Sequence, residues 1–201
     1  GFYAATDNEL YDAFDVLYPY DIWPLYEGAT GGALPLSRYF SALNFQELSF
    51  PTWYNKLSCL ENHDQRRAAE RFPNRDSLLA WTALCYFQKG TTLLYAGQEF
   101  ENIHLPSLFE KDTVSRSTGR DLTKLMHRLY EIKRDCFGCE DYFLAAGDDK
   151  NNIAVLERGS GTKRFIGVFS LRSVYAEVSV DLPDGTYPEL ISGTAVEVKD
   201  G

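Results

Sequence analysis

The sequence predicts an α/β fold in its first two thirds, followed by a separate antiparallel β-sandwich domain. Up to about residue 133, short apolar runs alternate with helical patterns, which is typical of βα units around a parallel sheet. Beyond Cys136 the pattern changes to short period-two runs separated by turn signals, among them Pro183-Asp184-Gly185. We therefore predict one domain of residues 1–135 and a second of residues 136–201.

Three parallel strands are predicted in the first domain. They are residues 13–18 (AFDVLY), 57–61 (LSCLE) and 91–96 (TTLLYA). The last run is uncharged, as a strand covered on both faces should be. The aromatic stretch 19–26 is expected to form a loop after the first strand, and the glycines of residues 28–32 are expected to form a turn.

Helices are predicted between and after these strands. They lie at about residues 36–43, 77–89 and 119–135. The second is apolar around most of its circumference and should be buried, with Asp76 as its N-cap and Gly90 at its end. The third has a capping-box pair in Thr118 and Asp121 and one apolar face. That face consists of Leu122, Leu125, Met126, Leu129 and Ile132.

The second domain is predicted to contain only short strands. They are residues 153–156, 164–171, 176–182, 187–191 and 195–198. Glycine- and aspartate-rich turns separate them, as in antiparallel β-sandwiches.

Composition limits the classes of ligand. The 201 residues are 44% hydrophobic, which is sufficient for a real core, and carry a formal net charge of −9. Such a chain has no basic surface for nucleic acid or an anionic membrane, and no apolar run approaches the ~20 residues that span a bilayer. We expect a neutral ligand, no nucleic acid and no membrane, and the residues do not fix a compartment.

The four cysteines do not form a metal-binding pattern. Only Cys136 and Cys139 are close in sequence, as CFGC, and the chain has three histidines and no second ligand pair at finger-like spacing. Free thiols are therefore favoured over a zinc site, and we predict no metal ligands.

Polar residues are concentrated where the second predicted strand ends, in Glu61-Asn62-His63-Asp64-Gln65. In a parallel α/β barrel, side chains at the carboxyl ends of the strands converge on one mouth and carry the chemistry. The segment is therefore a candidate site. The alternative is a solvated strand-to-helix turn in which Asp64 caps the helix.

Three segments in order resemble the α-amylase family of glycoside hydrolases. ENHDQ resembles the family's NHD segment on barrel strand seven, DAFDVL with the following YPYD resembles strand six, and GTTLLYAGQE resembles strand eight with its trailing G-x-E. The LFEKD segment and the terminal strands are similar as well. The resemblance implies the carboxy-terminal portion of a (β/α)8 TIM barrel followed by an antiparallel β-sandwich domain.

The same resemblance implies the site. Asp64 corresponds to the third catalytic carboxylate, His63 to its neighbour in the subsite of the reacting sugar, and Asn62 to a weaker supporting residue. Glu99 is expected to be a structural or rim residue. The nucleophile and the general acid of the family lie on strands four and five, which this chain lacks, so the fragment is expected to be inactive alone.

The expected parent is a hydrolase or transglycosylase that acts on α-linked glucans by a retaining mechanism, with no cofactor except the calcium that the family resemblance allows. The open barrel edges predict an oligomer or a partner segment that covers them. One alternative is a non-catalytic carbohydrate-binding or interaction module with the same fold. Another is a sugar-binding terminal sandwich, which is less favoured because that segment has no aromatic cluster like Trp23, Tyr26, Trp53 and Tyr54.

Overall fold

The amino-terminal part of the chain consists of helices and very short parallel strands, and the carboxy-terminal part of antiparallel strands. The computed structural model describes residues 6–201. The first part contains α1 (Asp7–Leu10), α2 (Trp23–Gly31), α3 (Leu36–Ser49), β1 (Leu57–Ser58), α4 (Ala68–Arg71), α5 (Arg75–Phe87), β2 (Thr91–Thr92) and α6 (Thr123–Cys136). The second contains β3 (Tyr142–Asp148), β4 (Ile153–Ser160), β5 (Lys163–Ser170), β6 (Gly185–Pro188) and β7 (Ala195–Val198).

The three predicted parallel strands are adjacent and parallel, but they are much shorter than predicted. Leu17 makes a single parallel bridge to Lys56, and β1 pairs with β2 in the register Leu57↔Thr91. The first predicted strand is thus reduced to one bridging residue. The strands are short because strand length depends on hydrogen bonds to neighbouring strands. Within the described chain, the segment around Leu17 and strand β2 each have such a neighbour on one side only.

The predicted aromatic loop and glycine turn are wrong, because α2 occupies most of that segment. Residues 19–21 form a single 3-10 turn, and α2 follows with Pro24 in its first turn, where the missing amide hydrogen costs no hydrogen bond. Burial of Trp23 and Tyr26 outweighs the low helix propensity of the glycines. Gly32, at φ +78°, ends the helix in the left-handed conformation.

The other helices are confirmed with corrected ends. Helix α3 continues past the predicted end to Ser49, with Gln46 on its buried side. The N-cap of α5 is Asn74 and not Asp76, because the Asn74 Oδ1 accepts a 3.0 Å hydrogen bond from the amide of Ser77.

Helix α6 begins later than predicted and does not have the expected capping box. The hydroxyl of Thr118 donates to the Phe100 carbonyl instead, whereas Asp121 Oδ1 accepts from the amide of Thr123 at 2.7 Å. The apolar face is confirmed as the buried face. Its buried members are Leu122, Met126, Leu129 and Ile132.

The terminal strands are antiparallel, in agreement with the predicted sandwich. The sheet has the order β3-β4-β5, and β6 and β7 form a separate pair. Strand β3 was missed because its centre is Ala145-Ala146-Gly147, which gives little hydrophobic alternation. The predicted strand at residues 176–182 is not formed, and the next begins at Gly185 rather than at residue 187.

The antiparallel sheet packs directly on α3 and α5. Asn44 of α3 donates through Nδ2 to the Ala145 carbonyl, and its Oδ1 accepts from the Ala145 amide, both at 2.8 Å. Arg158 of β4 is buried, and its guanidinium donates to the carbonyls of Phe87 and Gln88 at the end of α5. The chain passes between the two parts after Cys136, and the exact division at residues 135/136 stays a prediction.

Candidate functional site

The predicted site residues lie on a turn at the carboxyl end of β1. Glu61 and Asn62 are fully buried, and the amide of Gln65 donates to the Asn62 carbonyl at 3.2 Å, which closes the turn. His63 and Asp64 occupy the tip, with 44% and 50% of their side chains exposed. The turn therefore presents an imidazole and a carboxylate to solvent from a buried base.

A closed set of hydrogen bonds connects Asn62, Asp64 and Tyr20. The amide of Asp64 donates to Asn62 Oδ1 at 2.9 Å, and Asn62 Nδ2 donates to the Tyr20 hydroxyl at 3.1 Å. The Tyr20 hydroxyl in turn donates to Asp64 Oδ2 at 3.2 Å. His63 Nε2 lies 3.3 Å from the same Oδ2 atom. The three predicted residues are thus brought together, with one phenol that sequence reasoning did not assign.

The turn rests on a buried ion pair. Arg67 Nη1 lies 2.5 Å from Glu61 Oε1, and the amide of Ala68 donates to Glu61 Oε2. Both charged side chains are almost completely buried. Burial raises the pKa of Glu61 to about 7, against the lowering effect of the two donors. Glu61 thus fixes the start of α4 relative to the end of β1.

Arg67 also connects the ends of β1 and β2. Its Nη2 donates to the Ala96 carbonyl and its Nε to the His104 carbonyl, both at 2.9 Å, and its guanidinium lies 4.7 Å from the centre of the Tyr95 ring. Gly97 leaves room for this side chain, because a Cβ there would lie 2.7 Å from Arg67 Nη2. The loop after β2 is therefore held against the turn that carries Asp64.

The alternative that Asp64 caps the following helix is wrong. Helix α4 begins at Ala68, and the amide of Ala68 donates to Glu61 Oε2 and not to Asp64. The Asp64 carboxylate lies before this helix and is half exposed. It remains available to a ligand.

The predicted aromatic cluster is mostly core. Trp23, Tyr26 and Tyr54 are buried, and only Trp53 is exposed, at 49%. The rings of Trp23 and Tyr26 pack with centroids 4.9 Å apart. In the terminal part, by contrast, Tyr175 is fully exposed. The comparison with this cluster is therefore no argument against sugar binding by the terminal domain, because three of its four members are buried.

Other carboxylates near the strands have structural partners. Asp21 accepts from the buried Lys56 Nζ at 2.9 Å and from Gln46 Nε2 at 2.6 Å. Glu99 Oε2 accepts from the amide of Gly97 at 2.8 Å, which fits the predicted structural role.

A cavity of about 800 Å³ does not include Asp64 or His63 among its lining residues. It lies beside β2 and α6, lined by Trp53, Leu94, Glu99, Tyr130 and Lys133 among others. This groove is therefore distinct from the candidate site.

None of the four cysteines is paired in a disulfide. Within residues 6–201, no cluster of three or more His, Cys, Asp or Glu side chains is arranged to hold a metal ion. No helix among the described residues is long and apolar enough to cross a membrane.

The fold and the site define a class: a parallel α/β unit that carries polar residues at its strand ends, followed by an antiparallel β-domain. The model of the bacterial α-amylase C-terminal domain matches residues 145–201. An α-amylase from Lactobacillus plantarum superposes with a TM-score of 0.90 and 29% identity, over 98% of this chain and 47% of that one.

Two further structures share the fold at lower identity. A maltogenic α-amylase from Thermotoga neapolitana has a TM-score of 0.79 and 21% identity, over 95% of this chain and 47% of its own. An α-amylase from Anoxybacillus has a TM-score of 0.75 and 17% identity, over 96% and 45%. Comparison with curated proteins gave no match.

The chain is thus similar in sequence and fold to the carboxy-terminal part of α-amylases. It spans about half the length of the α-amylases from Lactobacillus plantarum and Thermotoga neapolitana that it matches.

Proposed function

We propose that the chain is part of a retaining glycoside hydrolase or transglycosylase that acts on α-linked glucans, with Asp64 as one of its catalytic carboxylates. The observation that carries this proposal is the geometry of Asp64: a half-exposed carboxylate on a turn whose base is buried, with one oxygen already held by Tyr20. A site that stabilises a transition state needs groups that are fixed before the substrate arrives.

Asp64 and His63 act on the sugar hydroxyls. The two side chains are adjacent, and both have exposed polar atoms that can bond neighbouring hydroxyls of one ring. Such bonds strengthen as the ring flattens toward an oxocarbenium-like transition state, and only that difference in strength lowers the barrier. Asn62 is buried, so its role is to support the turn and not to contact the sugar.

The fragment alone lacks the chemistry of hydrolysis. A retaining enzyme needs a nucleophile and a general acid about 5–5.5 Å apart. Two carboxylates close in sequence to the strands already form ion pairs, Glu61 with Arg67 and Asp21 with Lys56. We therefore assign the nucleophile and the acid to the part of the protein outside this chain.

The rest of the barrel, or a second chain, covers the open edge at β2. That edge is the groove beside α6, where Trp53, Leu94 and Tyr130 are each about half exposed. Exposed apolar groups beside an unpaired strand favour addition of another strand.

The test is an assay on a soluble α-1,4-glucan, with this chain beside the chain extended at its amino end to complete the barrel. Activity that requires the extension supports the proposal. Activity of the short chain alone would mean that the nucleophile and the general acid lie within it, and would contradict their assignment to the rest of the protein. Binding of maltooligosaccharides without turnover by the complete protein would favour the alternative, a non-catalytic carbohydrate-binding or interaction module.

A further inference from the structure

The hydroxyl of Tyr20 is shared between two residues of the candidate site. It accepts from Asn62 Nδ2 at 3.1 Å and donates to Asp64 Oδ2 at 3.2 Å. Because Asn62 Oδ1 also accepts from the amide of Asp64, the three residues form a closed ring of hydrogen bonds. The ring joins the segment before α2 to the end of β1, which are 42 residues apart in sequence.

The Tyr20 ring is itself held in place. It stacks on Tyr18 with centroids 5.2 Å apart and an interplanar angle of 11°, and it meets the buried Trp23 edge-on at 6.1 Å. Partial burial raises the pKa of Tyr20, so the phenol stays protonated at neutral pH and its hydroxyl can donate. The Tyr20 side chain is 41% exposed, and the two ring contacts hold its hydroxyl where it can donate to Asp64.

The two oxygens of the Asp64 carboxylate differ in their surroundings. Oδ2 receives the Tyr20 hydroxyl and lies beside His63 Nε2. Within residues 6–201, no hydrogen bond reaches Oδ1. One oxygen is therefore anchored to the protein, and the other is left free for a substrate hydroxyl.

We infer that Tyr20 is a positioning residue that fixes the rotation of the Asp64 carboxylate, so that Oδ1 points to the reacting sugar. The inference rests on the proposed function, because it assigns a role within the same site. Without the phenol hydroxyl, the carboxylate rotates more freely, and the geometry that stabilises the transition state is populated less. Substrate binding in the ground state changes less, since Tyr20 holds Asp64 and not the sugar.

The test uses the intact enzyme that contains this chain, with soluble α-1,4-glucan as substrate. Tyr20→Phe removes one hydroxyl and keeps the stacked ring. We expect kcat to fall by about 10- to 100-fold, the size of effect that one lost donor to a catalytic group produces, while KM changes less than about threefold. Thermal unfolding of the variant, followed by circular dichroism, checks that the fold is retained.

Tyr18→Phe is the matched control. It removes a hydroxyl from the neighbouring stacked ring, and that hydroxyl makes no hydrogen bond within the described residues. Its kcat should equal that of the parent enzyme. A loss in Tyr18→Phe equal to that in Tyr20→Phe would mean that the aromatic stack, and not the Asp64 contact, is responsible, and would overturn the inference.

The remaining outcomes separate the inference from the proposed function. If Asp64→Asn is inactive and Tyr20→Phe keeps the parental kcat, Tyr20 has no positioning role and the proposed function stands. If Tyr20→Phe raises KM and leaves kcat unchanged, Tyr20 contributes equally to binding of the substrate and of the transition state. That result would also overturn the inference. If Asp64→Asn keeps the parental activity, the proposed function itself fails.

Discussion

The guanidinium Nη1 of Arg67 lies 2.5 Å from Oε1 of Glu61, and both side chains are buried beneath the turn that carries Asp64. A buried ion pair is costly to break, because the remaining partner keeps its charge without compensation. The pair joins the end of β1 to the beginning of α4 and, through Arg67, to the backbone that follows β2.

Glu61→Gln should destabilise the protein by about 1–3 kcal/mol, because its amide nitrogen replaces one of the two oxygens that accept from Arg67 and from the Ala68 amide, and so leaves a buried donor without a partner. The free energy of unfolding in urea measures the change. Asp135→Asn is the control: it neutralises one member of the exposed Arg134–Asp135 pair, and it should leave the free energy of unfolding almost unchanged. Equal effects of the two substitutions would contradict a structural role for the buried pair.

Gly97→Ala should destabilise more than Gly119→Ala. Both glycines have positive φ, +92° and +76°. An added Cβ at Gly97 would lie 2.4 Å from Val114 Cγ1, whereas nothing lies within 4 Å at Gly119. We expect a loss of about 1 kcal/mol at Gly119 from backbone strain and about 2–4 kcal/mol at Gly97, where steric crowding adds to it. Urea midpoints of both variants would show the difference, and equal losses would exclude the crowding.

The stability of the chain should rise between about pH 8 and pH 10.5 through Lys133. Burial lowers the pKa of Lys133 to about 8 from its ordinary value of 10.5, and among the described residues its ammonium donates to two neutral groups, the Gln88 carbonyl and the Thr92 hydroxyl. In this window the unfolded chain binds more protons than the folded chain, so the free energy of unfolding increases with pH.

The full contribution is at most about 3 kcal/mol. Urea unfolding at several pH values, for the parent chain and for Lys133→Met, gives the test. The difference between the two curves should change across the window and be constant below about pH 7. Parallel curves would show that Lys133 titrates normally.

Asp64→Asn in the intact enzyme should reduce kcat by about 10³-fold or more, while thermal unfolding stays unchanged, because the half-exposed carboxylate adds little to the core. His63→Ala should have a milder effect of roughly 10- to 100-fold, since it removes one stabilising contact and not the carboxylate itself. Measurement of kcat on soluble α-1,4-glucan for both variants tests these two predictions. Near-parental activity of Asp64→Asn would rule out its assignment.

The order of elements in the chain could be predicted because each has a strong local signal. The apolar face of α6 and the alternation of β4 survive in the structure as buried faces. The strand lengths could not be predicted, because β-pairing depends on neighbours outside the segment. Helix α2 was missed because its glycines suggested a turn, whereas tertiary burial of Trp23 and Tyr26 determined the outcome.

The candidate site was predicted only along one stretch of sequence. Asn62, His63 and Asp64 are consecutive, and their position at a strand end is visible in the sequence. Tyr20 contacts Asp64 from a distant part of the sequence, and Arg67 contacts Glu61 across the turn. Neither role could be predicted from the local sequence. The YPYD segment was identified only by its family resemblance. The role of Tyr20 within it follows from the distance between its hydroxyl and Asp64, which the sequence does not give.

The paired hydrogen bonds between Asn44 and Ala145 have a consequence for the behaviour of the sheet in solution. The Asn44 carboxamide supplies the donor and the acceptor that one residue of an adjoining strand would supply. Strand β3 pairs with β4 on its other side, so its outer border would otherwise offer free amides and carbonyls to any passing polypeptide. Helix α3 thus covers the outer border of β3 at Ala145, whose amide and carbonyl are no longer free to pair with a strand of another chain.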